Sequence, residues 1–137
     1  MTKWGKLVIV SLILILGTST MVYGKNDNSL RSTKKIMKGH IVALYLDHIF
    51  NTSSTIYVSF NEKESLIELE IWGSDRTIDE AKASTEDFRQ GLLAESLERL
   101  NNQFELTLSE QDVVITYIYH YSKERLLVFK DGNYTLD

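Results

Sequence analysis

The sequence predicts an α+β domain built as a two-layer sandwich, in which an antiparallel sheet of four to five strands carries two helices on one face. Apolar and polar residues alternate around polar turns within residues 55–73 and again within residues 113–130, which is typical of β-hairpins. Two further stretches, from residue 32 or 33 to 50 and from about 77 to 103, repeat apolar residues every three or four positions, which is typical of amphipathic helices. The predicted order is therefore helix, hairpin, helix, hairpin.

The first 24 residues have the parts of an export signal. Two lysines precede the apolar run of residues 7–16, and the small or modest side chains of Val22 and Gly24 favour cleavage after Gly24. The alternative is an uncleaved anchor, since the uncharged stretch from Leu7 to Gly24 lies near the lower limit of the ~17–25 residues of a spanning helix. Its second half is polar and contains a glycine, so we expect cleavage and export to the periplasm or extracellular space, with a membrane-anchored protein if the signal is kept.

The composition of the remaining chain limits its partners. Removing 24 of the 137 residues leaves 113, which is enough for one domain with an ordinary core. This part has 13 basic and 19 acidic residues, a formal net charge of −6, and no concentrated basic stretch, so nucleic acid is not an expected partner. The same excess of acidic residues argues against electrostatic docking to anionic lipid. An exported chain without cysteine is typical of a bacterial envelope domain that is stabilised by packing and has no disulfide.

The domain is expected to begin after a polar segment. Residues 25–32 are rich in Asn, Asp and Ser and predict a flexible leader before a single domain at residues 33–137. The first helix is predicted to end at Phe50, although the β-branched run from His40 to Leu46 is also compatible with a buried strand.

Two N-terminal caps compete for the second helix. Thr77 and Glu80 have the spacing of a capping box, so the helix can begin there. Ser84 with Asp87 is the alternative, in which case residues 75–83 form a turn or a short preceding helix.

Metal and catalytic chemistry have little support in the sequence. On a helix, His40 and His48 lie about 12 Å apart with Leu44 between them, so a metal site would need His120 and a carboxylate to arrive through folding. No nucleophile elbow and no phosphate-binding glycine loop is present. We therefore predict no catalytic residue, no cofactor and no metal site.

One predicted strand carries a pair of carboxylates. Glu68 and Glu70 share one strand face about 6.6 Å apart, near the separation that glycosidases use. Alternating glutamates on the solvent face of a strand are ordinary, however, and an acid and a nucleophile normally flank the substrate from different elements.

The candidate binding site is aromatic. If the apolar residues of the first hairpin face the core, Tyr57 and Trp72 must point to the opposite face of the sheet. The third strand allows two orientations: one sends Tyr117 and Tyr119 to join them, and the other buries the tyrosines and exposes Thr116 and His120. The predicted binding residues are Tyr57, Trp72, Tyr117 and Tyr119, edged by Glu68 and Glu70.

These observations predict a small, non-enzymatic, exported bacterial envelope protein that acts by binding or assembly. Contiguous exposed aromatic residues most often mark a protein interface or self-association. Plain structural packing of the aromatic residues under a loop or the polar leader is the next interpretation. An envelope glycan follows, because flat rings with carboxylates suit sugars. One alternative is a small hydrolase or metal-assisted enzyme of the envelope that uses His120 near acidic strands. Another is a membrane-tethered extracytoplasmic sensor, which requires that the N-terminal segment stays attached.

Overall fold

A computed structural model describes the backbone of residues 27–52 and 55–136, with side chains from residue 34 onward. Helix α1 (Asp27–Phe50) precedes a hairpin of β1 (Ile56–Asn61) and β2 (Leu66–Gly73). Helix α2 (Ile78–Phe88), a π-helical turn (Arg89–Leu93) and helix α3 (Ala94–Phe104) follow without a break in helical backbone. After a 3₁₀ turn (Glu110–Asp112) come strands β3 (Val113–Tyr119), β4 (Glu124–Lys130) and β5 (Asn133–Thr135). The predicted export signal, residues 1–24, lies outside the described residues.

The five strands form one sheet in the order β1-β2-β3-β4-β5. Neighbours pair antiparallel except β2 and β3, which are parallel. The parallel pair arises because the helical segment from α2 to α3 returns the chain to the end of the sheet at which β2 began. The α+β class and the order helix, hairpin, helix, hairpin are confirmed, with this one parallel pair in a mostly antiparallel sheet.

The helices pack on one face of the sheet, called here the covered face. Side chains of alternating strand positions meet the helices there, because successive residues of a strand point to opposite faces. The sheet contributes Ile67, Leu69, Val113, Ile115, Leu127 and Phe129, and the helical segments contribute Ile41, Val42, Tyr45, Leu46, Phe50, Leu93, Leu97 and Leu100. These residues form the buried apolar core that stabilises the domain.

Helix α1 begins earlier than predicted. Its first residue is Asp27, inside the segment that the sequence predicted as a flexible leader. The interpretation of residues 40–46 as a buried strand is wrong, because they lie in the middle of this helix. The Asp47 carboxylate accepts a hydrogen bond from the backbone N–H of Val58 at 3.0 Å, which fixes α1 against β1.

Helix α2 begins at the first of its two candidate caps. The Thr77 side chain accepts from the Glu80 N–H and the Glu80 carboxylate accepts from the Thr77 N–H, which completes the predicted capping box. Ser84 is not a cap, since its hydroxyl donates to Asp75 Oδ2 at 2.7 Å. The helical segment ends where Glu105 adopts a left-handed backbone conformation.

Strand β3 buries the tyrosine in its middle. Its parallel register sets Ile115 beside Leu69 and Tyr117 beside Ile71, so Tyr117 faces the core with them. Tyr117 fits because Gly73 has no side chain: a Cβ there would lie 1.8 Å from the tyrosine hydroxyl. Among the described residues, no helix is long and apolar enough to cross a membrane.

Candidate functional site

The face of the sheet opposite the helices, called here the open face, presents a mixture of apolar, hydroxyl and carboxylate groups. No helix in the described part of the chain packs on it, and its central apolar side chains are only half-buried. The strand positions on this face are Tyr57, Ser59, Glu68, Glu70, Trp72, Val114, Thr116, Ile118 and Val128. A sheet face with this much accessible apolar surface is suited to contact another molecule.

Five rings form a continuous row at one end of the sheet, called here the aromatic row, which begins on the open face with Tyr57 and Trp72. The distances between ring centroids are 6.3 Å from Tyr57 to Trp72, 6.4 Å from Trp72 to His120, 5.5 Å from His120 to Tyr121 and 5.6 Å from Tyr121 to Tyr119. All four distances lie within the range of favourable aromatic pairs. The first three pairs are close to perpendicular, so ring edges and ring faces are both presented along the row.

Strand pairing builds the aromatic row. Tyr57 pairs with Glu70, which places Trp72, two residues further along β2, diagonally across from Tyr57. The backbone N–H of His120 donates to the Gly73 carbonyl at 2.9 Å, which holds the imidazole next to the indole. Residues from three consecutive strands and one turn are thereby fixed on the sheet framework.

A cavity of about 380 Å³ lies within the row, lined by Tyr57, Glu70, Trp72 and His120. The indole Nε1 of Trp72 donates to Glu70 Oε2 at 3.1 Å, which orients the carboxylate beside the rings. Ring surfaces with one carboxylate and one imidazole can bury an apolar side chain and accept or donate a few hydrogen bonds. This combination is typical of a recognition site.

The structure brings together only part of the predicted site. Tyr57, Trp72 and Glu70 converge in the cavity, whereas the Glu68 carboxylate accepts from Asn61 Nδ2 at 2.8 Å, away from the rings. Tyr119 does not occupy the predicted open-face position, because it pairs with Gly73 two positions beyond the buried Tyr117; it is half-buried and meets the row only through Tyr121.

The placement of Tyr117 on the exposed patch was wrong, because its side chain is 1 % exposed and faces the helices. Its hydroxyl donates to Asp75 Oδ2 at 2.6 Å and accepts from the Asp75 N–H at 3.1 Å. Burial, together with the bond to Asp75, raises the pKa of Tyr117 to about 12. Hydrogen bonds donated by Ser84, the larger contribution, and by Tyr117 lower the pKa of the Asp75 carboxyl group. Tyr117 therefore anchors the loop after β2 and is unavailable to a partner.

His120 and Tyr121 complete the row, and neither was among the predicted binding residues. The orientation of β3 that exposes His120 was one of the two alternatives, but the apolar residues on both faces of the strand gave no basis for choosing it. Tyr121 follows His120 in the turn between β3 and β4 and is 75 % exposed, the most exposed large apolar side chain among the described residues. Three consecutive aromatic residues ending a strand were the available signal.

The other histidines lie elsewhere. His40 Nε2 is 2.7 Å from Glu62 Oε1, and its ring meets Phe60 edge-on with centroids 5.1 Å apart. His48 lies exposed in the last turn of α1. Within the described residues, no group of three or more histidine or carboxylate side chains is placed to hold a metal ion.

Comparison with known proteins gave no significant match to a family model, a curated protein or a solved structure.

Proposed function

We propose that this chain is a small exported envelope domain that acts by binding or assembly, and that it binds a protein surface, from a partner or from a second copy, through the aromatic row. The observation that carries the proposal is the row of five contiguous rings, three of which, Tyr57, Trp72 and His120, line a cavity at a sheet face that no described helix covers. The exported location is supported by the signal-like residues 1–24.

The composition of the row supports a protein occupant. Tyrosine and tryptophan are enriched at the energetic centres of protein interfaces, because they bury large areas with few rotatable bonds. Glu70 is already oriented by Trp72, so a partner that donates a hydrogen bond there meets a preorganised acceptor. A rigid sheet framework under the rings reduces the entropy that is lost on binding.

An enzymatic role has less support from the same geometry. The cavity is lined by a single carboxylate, whereas glycoside hydrolysis uses two that flank the substrate. The histidine in the cavity lies between the aromatic rings of Trp72 and Tyr121.

The test compares variants of the full chain. Tyr57→Ala with Trp72→Ala removes two rings of the row, and Leu92→Ala is a matched control because Leu92 is an equally exposed apolar residue of the π-helical turn. Because such anchors each contribute about 2 kcal/mol, the double variant is expected to weaken association by well over tenfold. Association is measured by analytical ultracentrifugation and by capture of envelope proteins, and folding by thermal circular dichroism.

The outcomes separate the hypotheses. Loss of self-association or of captured proteins in the double variant, with Leu92→Ala unchanged, supports the proposal. If the double variant keeps its oligomeric state and its captured proteins but is no longer retained on purified envelope glycan, the ligand of the row is a sugar. If a stably folded double variant matches the native chain in oligomeric state, captured proteins and glycan retention, the row has no binding role.

A further inference from the structure

A second cavity, of about 450 Å³, lies at the opposite end of the sheet from the aromatic row and is called here the basic groove. It runs between the middle turns of α1, the turn joining β1 to β2, and the segment that connects α3 to β3. Its apolar floor is formed by Val42, Phe60, Ile67, Leu106 and Leu108. The volume falls within the range of ~300–1,000 Å³ that small-molecule sites occupy.

The groove depends on a close approach between α1 and β1. Gly39 has no side chain, and a Cβ there would lie 2.2 Å from the ring of Phe60. The ring therefore rests directly against the helix backbone and forms part of the floor. Any larger residue at position 39 would push Phe60 into the space that a ligand needs.

Positive charge is concentrated at the rim. Lys34, Lys35 and Lys38 line the groove from one face of α1, and Lys34 and Lys38 are one helical turn apart. Only one lining residue is acidic, Asp112, and its carboxylate already accepts from the Ser109 N–H at 2.8 Å. An apolar trough with a cationic rim is complementary to an anionic amphiphile.

We propose that the basic groove binds an anionic phospholipid of the membrane, with one acyl chain on the apolar floor and the headgroup phosphate at the lysines. The negative net charge, −4 for the full chain and −6 without residues 1–24, opposes general adsorption to an anionic surface, but the proposal requires only the local cluster of lysines. This site is separate from the aromatic row and does not rest on the binding role proposed for the row; the choice of a membrane lipid rests on the exported location in the proposed function.

The position of the groove favours a membrane lipid over a free fatty acid. The apolar, uncharged stretch of the sequence ends at Gly24, and α1 begins three residues later at Asp27. Lys34 and Lys38 lie only about 10 and 16 Å along the axis from that start. They are therefore close in the chain to the segment that meets the membrane during export or anchoring. That segment is itself a poor occupant, because Lys3 and Lys6 carry the same charge as the rim.

The experiment uses the full chain and a lysophosphatidylglycerol probe with a photoreactive diazirine in its acyl chain, added in neutral detergent. Cross-linked peptides are mapped by mass spectrometry, which distinguishes the groove from the apolar N-terminal segment. We expect cross-links on the floor, at Leu106 and Leu108 in particular. Zwitterionic lysophosphatidylcholine carrying the same diazirine should label these positions much less.

Two charge reversals make a matched pair. Lys38→Glu reverses a rim lysine, and Lys123→Glu reverses an exposed lysine in the β3–β4 turn, at the other end of the sheet. Reversal at the rim should reduce labelling of the floor at least about tenfold, whereas the control should match the native chain. Thr107→Trp, at an exposed lining position, should block labelling by occupying the groove mouth, and it serves as the second variant if Lys38→Glu fails to fold.

Three results would overturn the proposal. The first is labelling confined to the N-terminal apolar segment. The second is equal labelling of the floor by the two headgroups. The third is equal labelling of folded Lys38→Glu and Lys123→Glu.

Discussion

The two faces of the sheet are built from the same strands but meet different surroundings. On the covered face, Leu69, Ile115 and Phe129 are each 1 % exposed or less and pack against three helical segments. On the open face, Tyr57 is 44 % exposed and Trp72 is half-buried within the aromatic row. The difference shows that one face stabilises the fold through burial, whereas the other leaves large side chains accessible, and the proposed division of roles follows from it.

The largest expected effect comes from the same substitution on opposite faces of β3. Ile115→Ala should lower the free energy of unfolding by about 2–5 kcal/mol, because it leaves a cavity in the core. Ile118, beside Trp72 on the open face, is already partly in contact with water, so Ile118→Ala should cost only about 1 kcal/mol. Urea denaturation followed by circular dichroism measures both values.

Equal losses for the two isoleucine variants would contradict the division of roles. The open face would then be covered in solution, and repeating the measurement across a range of protein concentrations would show whether a second copy covers it. A concentration-dependent loss for Ile118→Ala alone would place self-association on the open face.

A smaller effect is expected at two glycines that differ in surroundings. Gly73→Ala would force its methyl group against the buried Tyr117 hydroxyl and should lower the free energy of unfolding by about 1–3 kcal/mol. Gly91→Ala in the exposed π-helical turn meets no atom within 4 Å and should raise it by up to about 1 kcal/mol, since alanine favours helix. The melting temperature should fall for Gly73→Ala and rise for Gly91→Ala. Shifts of the same sign would show that the packing of Tyr117 does not require a glycine at position 73.

The elements that the sequence predicted well are those with one polar face. In β1 and β2, the alternation of Ile56, Val58 and Phe60 and of Ile67, Leu69 and Ile71 identifies the covered face, and the structure confirms it. The Thr77 capping box was one of two candidate caps, and it could be recognised in the sequence because it depends on residues within one helical turn.

The orientation of β3 could not be predicted locally, because apolar residues occupy both of its faces. It is decided by the parallel pairing with β2 and by the absence of a side chain at Gly73, two contacts between residues far apart in sequence. The start of α1 was missed because polar residues 27–32 show no apolar periodicity. The basic groove was missed because it needs Gly39 beside Phe60 and a helix beside a loop of residues 106–112.

The smallest effect concerns the carboxylate that ties the loop after β2 to the covered face. The pKa of Asp75 is lowered in the fold by two donated hydrogen bonds, of which the bond from Ser84 contributes more than the bond from Tyr117. A lowered pKa stabilises the fold above the unfolded pKa of about 3.9, and that contribution disappears as the pH falls through the lower folded value. Asp75→Asn should therefore cost about 1 kcal/mol near pH 6 and progressively less below pH ~4. Asp87→Asn, at an exposed helix position, should change stability by less than about 0.5 kcal/mol at either pH. Urea denaturation at pH 6 and pH 3 measures the difference, and a penalty for Asp75→Asn that stays constant with pH would show that the native contacts of Asp75 do not depend on its charge.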